Sequence, residues 1–301
     1  MISWFFIIIV AYFLFSIASF GDKLVLKQAQ SPKLYIFYVG ILSVLTVFLI
    51  PFFGISIPST KSFFWIILTS LTVMLGLYFL YYAIEKYEVS RVIPITGSTQ
   101  PLFILFFSWL ISGSEILKLN NILAFLILII ASMIISLNKK LNLTKGLLLT
   151  AIIASFVTSL SFIFTKLVFN YETFFNGIIW IGIFNFLFVL LLFLDKSIRD
   201  EVLYKRNSSK KIPIPFIILA QLSGGLGGIL QNYAIYLAPI SSLAIINVLR
   251  VIQYVFLFII TWLFSAVFPK LIKEDITKKS ITGKVISIIL IIIGLGLLFL
   301  L

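Results

Sequence analysis

The chain has 301 residues, of which 61% are hydrophobic, 16% aromatic and only 11% charged, and its mean hydropathy is +1.20; that composition excludes a soluble globular domain and implies an all-α protein built into a membrane. Cysteine and histidine are both absent, which excludes disulfides, thiol catalysis and imidazole acid, base or ligand chemistry. The formal net charge of +13 suits lipid headgroups rather than nucleic acid, because Lys and Arg gather in short loops beside apolar runs.

A hydrocarbon core about 30 Å thick needs roughly 20 apolar residues of helix. Ten stretches meet or approach that length: 2–20, 34–54, 62–84, 90–112, 119–137, 146–169, 174–194, 213–237, 240–267 and 282–301. The first carries no basic residue ahead of its apolar run and no small-residue cleavage site, so it is expected to persist as a helix rather than act as a signal peptide. With ten crossings, the alternating loops collect nineteen Lys and Arg residues on one side and only Lys61, Lys118 and Lys166 on the other. The basic side is then cytoplasmic and both termini are extracytoplasmic, in a multi-pass protein of the inner or plasma membrane. Residues 195–212 form the one long polar loop, expected to fix topology and meet headgroups.

The chain spells its first half twice. SIASFGDKLVL from Ser16 matches SLSFIFTKLVF from Ser159, placing Lys23 and Lys166 at equivalent positions 143 apart. FWIILTSLTVMLGLYFLYYAI (Phe64 to Ile84) matches PFIILAQLSGGLGGILQNYAI (Pro215 to Ile235) at an offset of 151, and Ser90 then meets Ser241. Residues 1–140 and 141–301 are therefore expected to be two five-helix repeats. An odd number of crossings per copy inverts the second relative to the first, a construction that gives transporters two interchangeable gates.

In chain order, the polar residues at bilayer depth begin with Tyr12, which shares a face with Ser16 and Ser19 on stretch 1. Tyr78, Tyr81 and Tyr82 on stretch 3 fit an aromatic belt. Stretch 4 carries VIPITGSTQP, where Thr96, Thr99 and Gln100 share a face while Pro94 and Pro101 withdraw backbone donors and can kink the helix. Asn185 on stretch 7 is a lone polar residue expected to bond a neighbouring helix. Stretch 8 contains Gly224, Gly225, Gly227 and Gly228, a pattern for close helix packing or a bending point rather than a nucleotide loop; Gln231 and Asn232 follow it. On stretch 9, Asn247, Arg250, Tyr254 and Thr261 fall within about 60° of one another at 100° per residue.

Arg250 is the charged residue at mid-stretch, and such a residue normally faces a cavity or a partner. No Asp or Glu lies in the middle of any stretch to neutralise it. Two readings follow: a guanidinium that holds a substrate carboxylate or phosphate, or one bonded to helix carbonyls or snorkelling to an interface. The mid-stretch depth favours substrate contact. Arg250, Asn247, Tyr254, Gln100, Thr96 and Tyr12 are accordingly expected to bind substrate, with no catalytic residues, no metal and no cofactor. An intramembrane enzyme is disfavoured, since no histidine, cysteine or paired carboxylate lies within the stretches. A structural or lipid-handling protein would replace a polar interior with tight packing.

Five plus five helices, the YAI element ending stretches 3 and 8, proline in stretch 4 and SGSE after it resemble the drug/metabolite transporter superfamily, most closely its EamA branch. The resemblance implies two inverted bundles around a cavity lined mainly by helices 1, 3, 4, 6, 8 and 9. It also implies a solute such as an amino acid, another small metabolite, choline, a nucleotide sugar, a sugar phosphate or a drug, with export as the leading direction. Glu115 matches a glutamate following helix 4 in that family, whereas the second copy has PKLIKED there. Without a mid-membrane carboxylate or histidine, facilitated diffusion or exchange is expected rather than proton coupling.

Overall fold

The computed structural model describes residues 3–26, 37, 39–87, 89–113, 119–136, 144–194, 196, 199–200, 214–267 and six positions between 286 and 297. Most of the tenth stretch and of the long basic loop lie outside the described residues, as do Glu115 and Glu274.

All the regular structure described is helical. The elements are α1 (Ser3–Leu26), α2 (Val39–Phe53), α3 (Thr60–Lys86), α4 (Val89–Ser112), α5 (Leu119–Ser136), α6 (Lys145–Phe169), α7 (Phe174–Leu192), α8 (Ile214–Leu237), α9 (Leu243–Val248) and α10 (Val251–Val267). Six spans among the described residues are long and apolar enough to cross a membrane, and the protein is an all-α, multi-pass membrane protein. The starts of α3 and α6 follow from local capping: Ser59 accepts from Ser62 N at 3.2 Å and Thr144 from Leu147 N at 3.3 Å, each satisfying one orphan donor of its first turn. Lys86 and Lys166 stand in the last turns of the same two helices, where the dipole favours a cation.

Two of the expected stretches are not uniform helices. The middle of α2, Ser43–Leu49, is wound as a 3-10 helix. There Ser43 Oγ donates to the carbonyl of Gly40 at 2.5 Å and to that of Gly182 on α7 at 3.0 Å. A Cβ on Gly182 would collide with Thr46, so α2 seats directly on the α7 backbone. The ninth stretch, expected to run unbroken over 240–267, opens with a 3-10 turn at Ile240–Ser242 and is interrupted at Leu249–Arg250, between α9 and α10. By contrast α4 continues through both Pro94 and Pro101.

Contacts divide the chain into two compact units, Met1–Gln28, Ile93–Asn142 and Lys211–Leu301 in one, Ala29–Val92 and Leu143–Lys210 in the other. Each draws on both sequence copies. In the first unit α1 packs along α8 and also against α10. Ala18 lies by Gly224 and Phe15 by Gly227, so α1 and α8 run antiparallel. In the second, α3 packs along α6, with Gly76 by Thr158 and Trp65 by Phe164, again antiparallel. Gly76 and Gly227 are 151 apart and Phe15 and Thr158 are 143 apart. The Gly227–Phe15 and Gly76–Thr158 contacts thus join positions that the two sequence offsets relate.

Candidate functional site

The polar residues of the first unit gather where α9 stops. In a regular helix the carbonyl of Ile246 would accept from Arg250 N–H four residues on. Here Arg250 N bonds the carbonyl of Asn247 at 3.1 Å, Ile252 N that of Leu249 at 2.9 Å and Gln253 N that of Arg250 at 2.9 Å, all three-residue steps. The Ile246 carbonyl instead receives the hydroxyl of Tyr12 at 2.6 Å. Tyr12 is fully buried on α1; an unmet carbonyl at that depth would cost about 1–3 kcal/mol. The phenol therefore stands in for a helical N–H and holds the interruption open.

Around that phenol lie the side chains of Gln231, Arg250 and Tyr254. Gln231 sits one turn beyond Gly227 on the face of α8 that meets α1. Its amide approaches the Tyr12 oxygen, yet Nε2 completes a hydrogen bond with nothing among the described residues, and neither does Nδ2 of Asn247, which is 4% exposed. A second clamp fixes the geometry one turn further along: Gln253 Nε2 donates to Ser19 Oγ at 3.0 Å and to the Phe15 carbonyl at 3.4 Å. Edge-on ring pairs Phe13–Phe256 and Phe20–Phe264 continue the α1–α10 seam. None of the ten acidic residues falls within any of the six apolar spans found among the described residues.

Of the residues expected to bind substrate, the structure brings Arg250, Tyr254 and Tyr12 together and places Asn247 at the adjoining turn. Thr96 and Gln100 lie buried on α4 in the same unit; Thr96 Oγ1 donates to the Ile93 carbonyl at 3.1 Å, and neither residue is among the partners of Tyr12. Thr261 turns its hydroxyl onto the Leu257 and Phe258 carbonyls of its own helix. Among the four glycines, Gly227 is the tight one: an added Cβ would lie 3.1 Å from Phe15 Cδ1 and 3.2 Å from the Ala11 carbonyl. At Gly224 it would touch Ala18 at an ordinary 3.5 Å, and at Gly225 and Gly228 it would meet nothing within 4 Å. In the sequence Gln231 stands out only as a polar residue after the glycines, and Gln253 does not stand out. The available signal was spacing, because Gln231 follows Gly227 by four residues and so shares its face.

An apolar hollow of 320 Å³ bounded by Phe13, Phe20, Leu219 and Phe264 also lies in this unit. Phe13 is 41% and Leu219 52% exposed, and the hollow offers nothing to orient a polar solute.

Residues 2–137 match the EamA-like transporter family. The match is to a family of membrane transporters of small molecules, whose members are not enzymes. A solved crystal structure superposes with a TM-score of 0.70 over 99% of this chain and 96% of the other at 14% identity, a likeness that speaks for the fold alone. No curated protein matches the sequence.

Proposed function

We propose that the protein is a ten-helix carrier made of two inverted five-helix copies, both termini outside the cytoplasm, that exports a small carboxylate-bearing metabolite by alternating access. Arg250 holds the carboxylate through charge-assisted hydrogen bonds, with Asn247, Tyr254, Tyr12, Gln100 and Thr96 lining the path. The observation that carries this reading is the interruption of the ninth stretch at Arg250 beside Tyr12. Irregular backbone at membrane depth is tolerated where it is buried in protein or lines a water-filled cavity, and interrupted helices mark substrate sites in carriers with inverted repeats.

The inverted arrangement is supported by the Gly76–Thr158 and Gly227–Phe15 contacts at repeat-related positions, by antiparallel α1–α8 and α3–α6 pairs, and by a family match that ends at residue 137, beside the boundary between the sequence copies. The test is flux in proteoliposomes. Arg250→Gln should abolish transport of carboxylates while expression and melting temperature stay near those of the parent; unchanged flux would remove Arg250 from the site.

A further inference from the structure

Resting on the reading that Arg250 meets the substrate, we infer that the site selects organic acids of net negative charge, such as 2-hydroxy acids, over zwitterionic amino acids. The side-chain nitrogens of Arg250, Gln231 and Asn247 at the interruption are all donors. The guanidinium of Arg250 offers five N–H groups and accepts none. Gln231 Nε2 and Asn247 Nδ2 are buried and complete no hydrogen bond among the described residues. Tyr12 has already committed its proton to the Ile246 carbonyl, so its oxygen can only accept. The Ile246 carbonyl that the interruption frees is thereby occupied. What such a set lacks is an acceptor-rich ligand, and a carboxylate bearing a neighbouring hydroxyl supplies one.

An ammonium group has the opposite requirement: three acceptors and, at membrane depth, a counter-charge. The chain holds ten acidic residues, Asp22, Glu85, Glu88, Glu115, Glu172, Asp195, Asp200, Glu201, Glu274 and Asp275, and none lies within the six apolar spans found among the described residues. An organic anion would neutralise Arg250. A zwitterion would leave one uncompensated positive charge and set its ammonium close to a guanidinium, and like charges brought together in a desolvated site cost several-fold to many-fold in affinity.

Matched pairs that differ only in ammonium against hydroxyl test this: 2-hydroxyisocaproate against leucine, phenyllactate against phenylalanine, and lactate against alanine. The readouts are thermal stabilisation of the purified protein and uptake of the labelled acid into proteoliposomes. The expected result is that at least one hydroxy acid binds and is carried about tenfold or more better than its amino acid. Gln231→Leu should weaken that hydroxy acid several-fold with the unliganded melting temperature preserved. Gln231→Glu, which sets a carboxylate beside Arg250, should reverse the preference within the pair. Amino acids handled as well as or better than their hydroxy counterparts would overturn the inference and leave the carboxylate reading standing. If no carboxylate of either kind stabilises or crosses, in a protein that melts cooperatively, the carboxylate reading falls and the inference with it.

Discussion

Gly227 meets Phe15 where α8 passes α1, and Gly76 meets Thr158 where α3 passes α6. The two crossings are built from the same pair of repeat positions, yet their polar chemistry differs. At the first, Tyr12 spends its hydroxyl on another element, the Ile246 carbonyl. Its counterpart 143 positions on is Ser155, which turns its hydroxyl back onto the Ala151 carbonyl of its own helix at 2.9 Å. Gln231 corresponds to Leu80, and Arg250 to Thr99. The Ile95 carbonyl, counterpart of that of Ile246, accepts from Thr99 at 2.7 Å and Ser98 at 3.1 Å along an unbroken α4. At the first crossing a hydroxyl reaches another element beside an opened helix and a cation, whereas at the offset-related positions Ser155, Ser98 and Thr99 bond carbonyls of their own helices.

Changes at matched positions should separate packing from function. Gly76→Ala is expected to cost the most stability, about 2–3 kcal/mol. The new methyl would lie 2.6 Å from Thr158 Cγ2, on a side chain held by bonds from its hydroxyl to the Ala154 and Ser155 carbonyls. Adding Thr158→Ala should restore most of the lost melting temperature, a coupling readable by double-mutant cycle. Tyr12→Phe comes next. It strips the Ile246 carbonyl of its donor for about 1–2 kcal/mol and, unlike the packing change, should lower flux more than melting temperature predicts.

Gly227→Ala should cost about 1 kcal/mol or less, since its Cβ would stand 3.1–3.2 Å from its neighbours and the Phe15 ring can shift. Ser155→Ala should change stability by about 0.5 kcal/mol or less and leave flux unchanged, because its hydroxyl bonds the Ala151 carbonyl of its own helix. If Tyr12→Phe and Ser155→Ala behave alike, the contrast between the two crossings does not hold.

Much of this was legible in the sequence because apolar length and loop charge are set by the bilayer, and because repeat offsets survive when helix contacts do. The membrane-embedded helices followed from those signals, and helical spacing set Arg250 and Tyr254 on one face, but not their meeting with Tyr12 of α1. The break at Leu249–Arg250 did not follow, since the two prolines that suggested a distorted helix lie on α4, which continues through them, while stretch 9 contains no Pro or Gly between Ile240 and Val267. Its cause is a hydrogen bond across 234 residues of chain, a tertiary effect that local periodicity cannot carry. The 3-10 winding of α2 is similar, arising beside the bond from Ser43 to the Gly182 backbone on α7.

The absence of native cysteine allows the most direct test of a wet, cationic site at the interruption. Arg250→Cys, reconstituted and assayed for carboxylate flux, should be inactive. A water-borne aminoethyl methanethiosulfonate should form a mixed disulfide there, return a positive charge and restore part of the flux, whereas a neutral reagent of similar size should modify the thiol without restoring it. Full activity of the unmodified variant, or a thiol that water-soluble reagents never reach from either side, would contradict the account.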